Sequence, residues 1–228
     1  MIKFNFDNKN MLLKEKEKIE DWLNKHNIKN YELIDNQVYG YIVNVNDNVN
    51  LSYFNLKNIE VKFNEINGYF NCNGNKLESL EGSPEIVNGD FSCANNNLKT
   101  LKYSPKIVKG NYYINDNNLT TLKYALKEIK KDFDCSNNEL KSLEGCPEIF
   151  EGYFYCNNNK LTSLEYCPAI IKGDFNCRYN KLKTLKGAPK IVNGYLSCSY
   201  YTLTTLEGGP NTVNGYFACS SNELTSLK

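Results

Sequence analysis

Nine cysteines, one histidine and a close pair of aspartates are the residues of this 228-residue chain whose chemistry could be catalytic or metal-binding. Seven of the cysteines, Cys72, Cys93, Cys135, Cys156, Cys177, Cys198 and Cys219, are separated by 21 residues or a multiple of it, while Cys146 and Cys167 each precede a proline. No C-x-x-C occurs, so the ligand spacing of a zinc site is missing. The columns therefore read as reduced, small hydrophobes in a core, and the odd total fits no complete disulfide set. His26 falls near the end of a helical segment and reads as a surface or C-terminal helix residue rather than a base. Asp132 and Asp134 could act as a carboxylate pair, but they project from one short strand without a partner acid. No catalytic residue, cofactor or metal is assigned, and a non-enzyme is expected.

What places those cysteines is a repeat that runs from Tyr69 to the last residue. An aromatic or leucine, one residue, then usually cysteine recurs as Phe70/Cys72, Phe91/Cys93, Tyr112/Ile114, Phe133/Cys135, Phe154/Cys156, Phe175/Cys177, Leu196/Cys198 and Phe217/Cys219. Asparagine follows three residues later in every unit except at Tyr201, and two leucines follow that without exception, from Leu77/Leu80 to Leu224/Leu227. Such a period means a solenoid, because one unit cannot bury its apolar side alone and stacked units share one core. In F-x-C alternate residues face the same way, so aromatic and thiol point inward and the intervening positions point out. The asparagine, turned inward, can bond the backbone of adjacent turns.

The unit G-x-F-x-C-x-x-N-x-L-x-x-L-x-x-x-P-x-x-V-x resembles the leucine-rich repeat, whose core L-x-L-x-x-N-x-L-x-x-L lies over it without a gap. The 21-residue period with proline after the last leucine is similar to the short bacterial type, whose return side is extended. Cysteine in the second strand position and glycine before the aromatic depart from the commonest pattern and are similar to variants in uncharacterised bacterial and phage proteins. The resemblance implies a curved, right-handed solenoid with a parallel sheet of about nine rungs. It also implies a role in the cytoplasm, of the host if phage-encoded, as an inhibitor of a host defence or nucleic-acid-binding protein. Ubiquitinating effectors that share the repeat carry a separate catalytic domain, for which this chain has no room.

Residues 49–228 form the expected solenoid, with Val49, Leu51, Leu56, Ile59, Phe63 and Ile66 as a degenerate first rung and Phe54 in the asparagine slot. Residues 1–48 are expected to cap it. Leu12, Leu13, Ile19, Trp22 and Leu23 fall at helical spacing between Asn8 and about His26, and Tyr39, Tyr41, Val43 and Val45 alternate as a strand. Between Leu122 and Phe133, Leu126 stands where proline belongs and Lys131 where glycine belongs, among good helix formers, which predicts a short helical turn on the outer side. The chain stops at Lys228, directly after Leu227, without a polar closing segment, so either it is shortened or another chain covers that edge, as self-association would.

Lys+Arg 27 against Asp+Glu 26 gives a net charge of +1, so bulk charge demands neither nucleic acid nor membrane. No long apolar run or signal peptide is present, which predicts an intracellular protein. Function is then expected on the outward strand positions. Tyr69, Asp90, Asp132, Tyr153, Asp174, Tyr195 and Tyr216 form one row; Tyr113, Asp134 and Tyr155 belong to the next; Asp116, Tyr179 and Tyr200 follow the cysteine position. These rows hold no lysine, whereas Lys99, Lys102, Lys106, Lys109, Lys123, Lys127, Lys130, Lys183, Lys186 and Lys190 lie on the return side and flank. Tyrosine among aspartates on a preformed concave sheet suits docking of a protein with a basic surface. The alternatives are nucleic-acid or acidic-partner binding through the lysine-rich flank, and a structural spacer.

Overall fold

The computed structural model describes residues 3–199 and 202–226, with side chains throughout except at residues 3–10 and 150. Tyr200, Tyr201, Leu227 and Lys228 lie outside the described residues. The architecture is the expected mainly β parallel solenoid with an N-terminal helical cap. Nine two-residue strands, from Val49–Asn50 to Phe217–Ala218, form one parallel sheet in chain order. Its register steps by one repeat, so that Phe133 pairs with Tyr112 on one side and Phe154 on the other. Each rung is named below by its first inward strand residue.

The inward columns make the core. Phe70, Phe91, Tyr112, Phe133, Phe154 and Phe175 are fully buried, and consecutive rings lie 5.4 to 5.8 Å apart in stacked arrangement. Tyr112 is tolerated in this apolar column because its hydroxyl meets Ser104 Oγ at 2.6 Å. The strand-end thiols from Cys72 to Cys198 and the paired leucines from Leu77/Leu80 to Leu182/Leu185 are buried beside the rings. All nine cysteines are free. Desolvation raises the Cys72 thiol to about 12 and pushes Cys93, Cys135, Cys156 and Cys177 well up, so the reactive thiolate is suppressed.

Where the chain leaves each strand, asparagine closes the gap between rungs. Asn96 Nδ2 donates to the carbonyls of Cys93 and Ala94 in its own rung and of Cys72 in the preceding one, while its Oδ1 accepts the Leu77 amide at 3.0 Å. Asn117, Asn138, Asn159 and Asn180 repeat the arrangement. One side chain thus satisfies backbone groups that neither sheet reaches.

On the return side the short strands form three ladders rather than one. The first ends at Ile107–Val108, the second joins only Glu128–Ile129 to Ile149–Phe150, and the third begins at Ile170–Ile171. The first break falls at the rung that has Leu126 for proline and Lys131 for glycine. The helical turn expected there does not form. Residues 123–131 follow the ordinary rung path, with Ala125 N bonded to Leu122 O at 2.9 Å as Cys146 N is to Leu143 O. Leu122 and Ile129, both fully buried, hold that segment to its columns, and a helix at 1.5 Å per residue would fall short of spanning them.

The cap consists of α1 (Lys3–Lys25) and the antiparallel pair β1 (Tyr31–Asn36) and β2 (Gly40–Val45), of which β2 continues in parallel into Phe63–Ile66. Ile19, Trp22 and Leu23 are buried, with the Trp22 ring edge-on to Phe63 at 6.2 Å. Three expectations are corrected. The helix begins earlier than Asn8, and Leu12 and Leu13 are exposed, because 23 helical residues span about 35 Å and outrun the core. Tyr39 is exposed in the turn, where Asn36 Oδ1 accepts the Val38 and Tyr39 amides, and the alternating strand starts only at Gly40. His26 is buried rather than on the surface: its ring lies tilted against Trp22 and edge-on to Phe54, and Nδ1 donates to the Trp22 carbonyl at 2.7 Å, closing the helix end.

Replacing Asn117 by alanine is expected to destabilise the fold by about 2–5 kcal/mol, since the Leu98 amide and the carbonyls of Cys93 and Ile114 lose their partner together. Urea unfolding with an unchanged m-value measures this. Cys135→Ser should cost about 1–3 kcal/mol in the same assay, because a hydroxyl enters the apolar column.

Candidate interaction face

The outward rows of the nine-stranded sheet are built on the backbone ladder, and their aspartates belong partly to it. Asp90 Oδ1 accepts the Asn111 amide at 2.7 Å, Asp132 Oδ1 the Tyr153 amide at 2.8 Å, and Asp174 Oδ1 the Tyr195 amide at 2.8 Å. Asn48 and Asn111 do the same for Tyr69 and Asp132. A Cβ on Gly110 or Gly152 would meet the carboxylate oxygen of the preceding rung, and one on Gly89 or Gly215 would meet the preceding rung's backbone, so the rungs approach closely at the glycine before the strand. Each of these aspartates keeps a second oxygen, outside this bond, with which to meet a partner.

Asp134, half-buried in the adjacent row, accepts the Ser136 amide at 2.8 Å. Desolvation raises its carboxyl above the ordinary range, and Asp116 adds to the effect. Asp116 itself has φ +54 and bonds Asn115 Nδ2, in a corner column where Gly74, Asn95, Asn137, Asn158, Tyr179 and Ser221 also have positive φ. Asx and glycine tolerate that conformation, so the presence of Asp116 has a conformational explanation. Tyr179 and Ser221 depart from the rule, and Tyr179 is overlain by the Arg178 guanidinium, 5.8 Å from the ring centroid.

The fold draws the central members together. Tyr69, Asp90 and Tyr113 border a depression of about 240 Å³ with Asn71, Asn73 and Ser92. Tyr153 and Tyr155 meet edge to face at 6.1 Å. Burial raises the Tyr113 hydroxyl, helped by Asp132, Asp90 and Asp134; the Tyr155 hydroxyl is raised by burial, then by Asp174 and Asp132. Tyr69 and Tyr153 are exposed, while Tyr113, Tyr155 and Tyr195 are half-buried. Tyr216 stands apart, just before the outermost strand of the described residues, at 84% exposure, and Tyr200 lies outside those residues. Arg178 is the one cation among the described residues of these rows.

Of the ten flank lysines named above, Lys106 and Lys186 have an ion-pair partner among the described residues. Lys106, Lys172 and Lys186 pair with Glu85, Glu151 and Glu165 one repeat earlier at 2.7, 3.1 and 3.1 Å, and Lys160 pairs with Glu139. Sequence reasoning also passed over Tyr103, Tyr124 and Tyr166. These exposed residues have φ of 67°, 72° and 69° in the turn column that Gly82, Gly145, Gly187 and Gly208 occupy in other rungs. The left-handed conformation costs a non-glycine residue about 1–2 kcal/mol. The available signal was their grid position, where tyrosine replaces glycine.

Among the described residues no three His, Cys, Asp or Glu side chains converge to hold a metal ion, and no helix is long and apolar enough to cross a membrane. Comparison of the chain with protein-family models, with curated proteins and with solved structures finds no match.

Asp134→Asn is expected to keep the Ser136 bond and to raise stability slightly, by up to about 1 kcal/mol at neutral pH, by removing a desolvated charge. Because the folded-state value is raised, wild type gains stability as pH falls through it toward the ordinary aspartate range. The difference between the two proteins should therefore shrink on acidification, as followed by thermal melts between neutral pH and about pH 3.5.

Proposed function

We propose that the protein is a non-enzymatic binding module whose tyrosine- and aspartate-bearing sheet face docks a partner with a basic surface. The observation that carries this reading is the convergence of Asp90, Asp132, Asp134 and Asp174 on Tyr113 and Tyr155, in a stretch of the face with no cation among the described residues. Aromatic rings on rigid two-residue strands supply contact area at small entropic cost, and the carboxylates select lysine or arginine opposite them. Nucleic-acid-binding proteins carry such surfaces, and occupying one would block its nucleic acid.

Fluorescence anisotropy with Lys/Arg-rich peptides, and Glu-rich peptides as the control, tests the reading. The triple change Asp132→Asn, Asp134→Asn and Asp174→Asn keeps the amide acceptors and removes three charges. It should slow association of the basic peptides and weaken its salt dependence, whereas Tyr153→Ala with Tyr155→Ala should speed dissociation about tenfold or more. Equal binding of the acidic peptides, or indifference to both sets of changes, refutes the assignment.

A further inference from the structure

The return-side turns of two adjacent rungs carry a second surface of opposite character. Lys99, Lys102, Lys106 and Lys109 follow the Phe91 rung, and Lys123, Lys127, Lys130 and Lys131 follow the Tyr112 rung. All eight are exposed, and between residues 99 and 131 Glu128 is the one carboxylate on that side, since Asp116 sits at the sheet corner. Among the described residues only Lys106 of the eight has an ion-pair partner, Glu85. The rungs on either side are acidic in the same turn, with Glu81 and Glu85 before it and Glu144 and Glu148 after it. The basic belt is therefore two rungs wide, about 10 Å at roughly 4.8 Å per rung, and runs across the solenoid axis.

Within the belt stand Tyr103 and Tyr124. Both rings border a groove of about 500 Å³ whose lining includes Pro105 and Leu126. They are 43% and 54% exposed, so core packing does not account for them, and both hold the left-handed conformation that glycine meets without strain in four other rungs. Lys102 Nζ lies 4.7 Å from the Tyr103 centroid and Lys123 Nζ 5.1 Å from that of Tyr124, which places a cation beside each ring. A strained, exposed aromatic repeated on adjacent rungs marks a functional position.

We propose that this belt binds single-stranded nucleic acid, with phosphates on the lysines and bases stacked on Tyr103 and Tyr124. Ammonium groups beside exposed rings, in a track one strand wide, supply the two contacts that sequence-independent strand binding uses. A duplex would overhang the glutamates of the neighbouring rungs. An acidic peptide would satisfy the lysines and leave the rings unused.

The test is anisotropy of a fluorescein-labelled oligothymidylate of about 12 nucleotides over a salt series, with the full chain. Binding should tighten as salt falls. Changing Lys102, Lys109, Lys123 and Lys127 to glutamine should flatten the plot of log K against log salt by about 3, at roughly 0.7 per lost phosphate contact. Tyr103→Gly with Tyr124→Gly should weaken binding about tenfold or more and leave that slope unchanged, because stacking carries no counterion term. The same variant should melt at or above the wild-type temperature, since glycine is the residue this turn takes elsewhere, which separates lost binding from lost folding. The triple asparagine variant of the sheet face should bind the oligonucleotide as wild type does. Absence of binding at low salt overturns the proposal. So does tighter binding of the matching duplex, or polyglutamate competing equally well against wild type and the tyrosine variant, which would assign the belt to acidic proteins.

Discussion

A buried backbone amide or carbonyl must find a partner, and in this protein the inward asparagine is what provides one between rungs. Backbone bonds between rungs run on past the strand, as from the Asn95 and Asn96 amides to the Asn115 and Asp116 carbonyls, and at the corner the Leu77 amide and the Cys72 carbonyl meet the Asn96 side chain. Asn96 and its equivalents bond two rungs at once through four contacts, so the apolar columns can stack without stranding polar groups. The rest of the core follows. Rings stack on rings because the corner sets a constant offset from rung to rung, and the strand-end column between the aromatic and the leucines takes cysteine or, in the Tyr112 rung, the fully buried Ile114.

The same accounting changes how the outward rows are understood. Asp90, Asp132 and Asp174 hold the next rung's amide, so their occurrence has a structural cause before it has a functional one. Their remaining oxygens still set a negative field, which is felt at the Tyr113 and Tyr155 hydroxyls. Structural and recognition roles share one side chain because a carboxylate has more acceptor sites than the ladder uses.

Part of the charge elsewhere on the solenoid is neutralised in place. Lysine and glutamate one repeat apart meet on adjacent rungs, at Lys106/Glu85, Lys172/Glu151 and Lys186/Glu165, in exposed pairs worth little individually. Against that background the lysines of the Phe91 and Tyr112 rungs stand out because their neighbours one repeat away are lysines too. The return-side ladder also breaks after these lysines begin, between Ile107–Val108 and Glu128–Ile129, where glycine and proline are both replaced.

The sequence by itself determined the solenoid, its period, the sheet columns and the inward direction of ring, thiol, asparagine and leucine. A repeat places equivalent residues in equivalent surroundings, so eight weak local signals add to one strong one. It also displayed the tyrosine- and aspartate-bearing rows, because strand alternation alone decides which residues face out. Only the tertiary structure decided matters that depend on the neighbouring turn. Residues 123–131 have helix-forming composition, yet Leu122 and Ile129 are seated in columns that a helix could not span. Leu12 and Leu13 keep the helical spacing of a core face, yet the core ends before reaching them. His26 is drawn inside by Trp22 and Phe54, residues far apart in sequence from one another. The aspartate-to-amide bonds, the lysine–glutamate pairs and the left-handed turn of Tyr103 and Tyr124 arise between rungs or from backbone angles, and neither is written in the identity of a single residue.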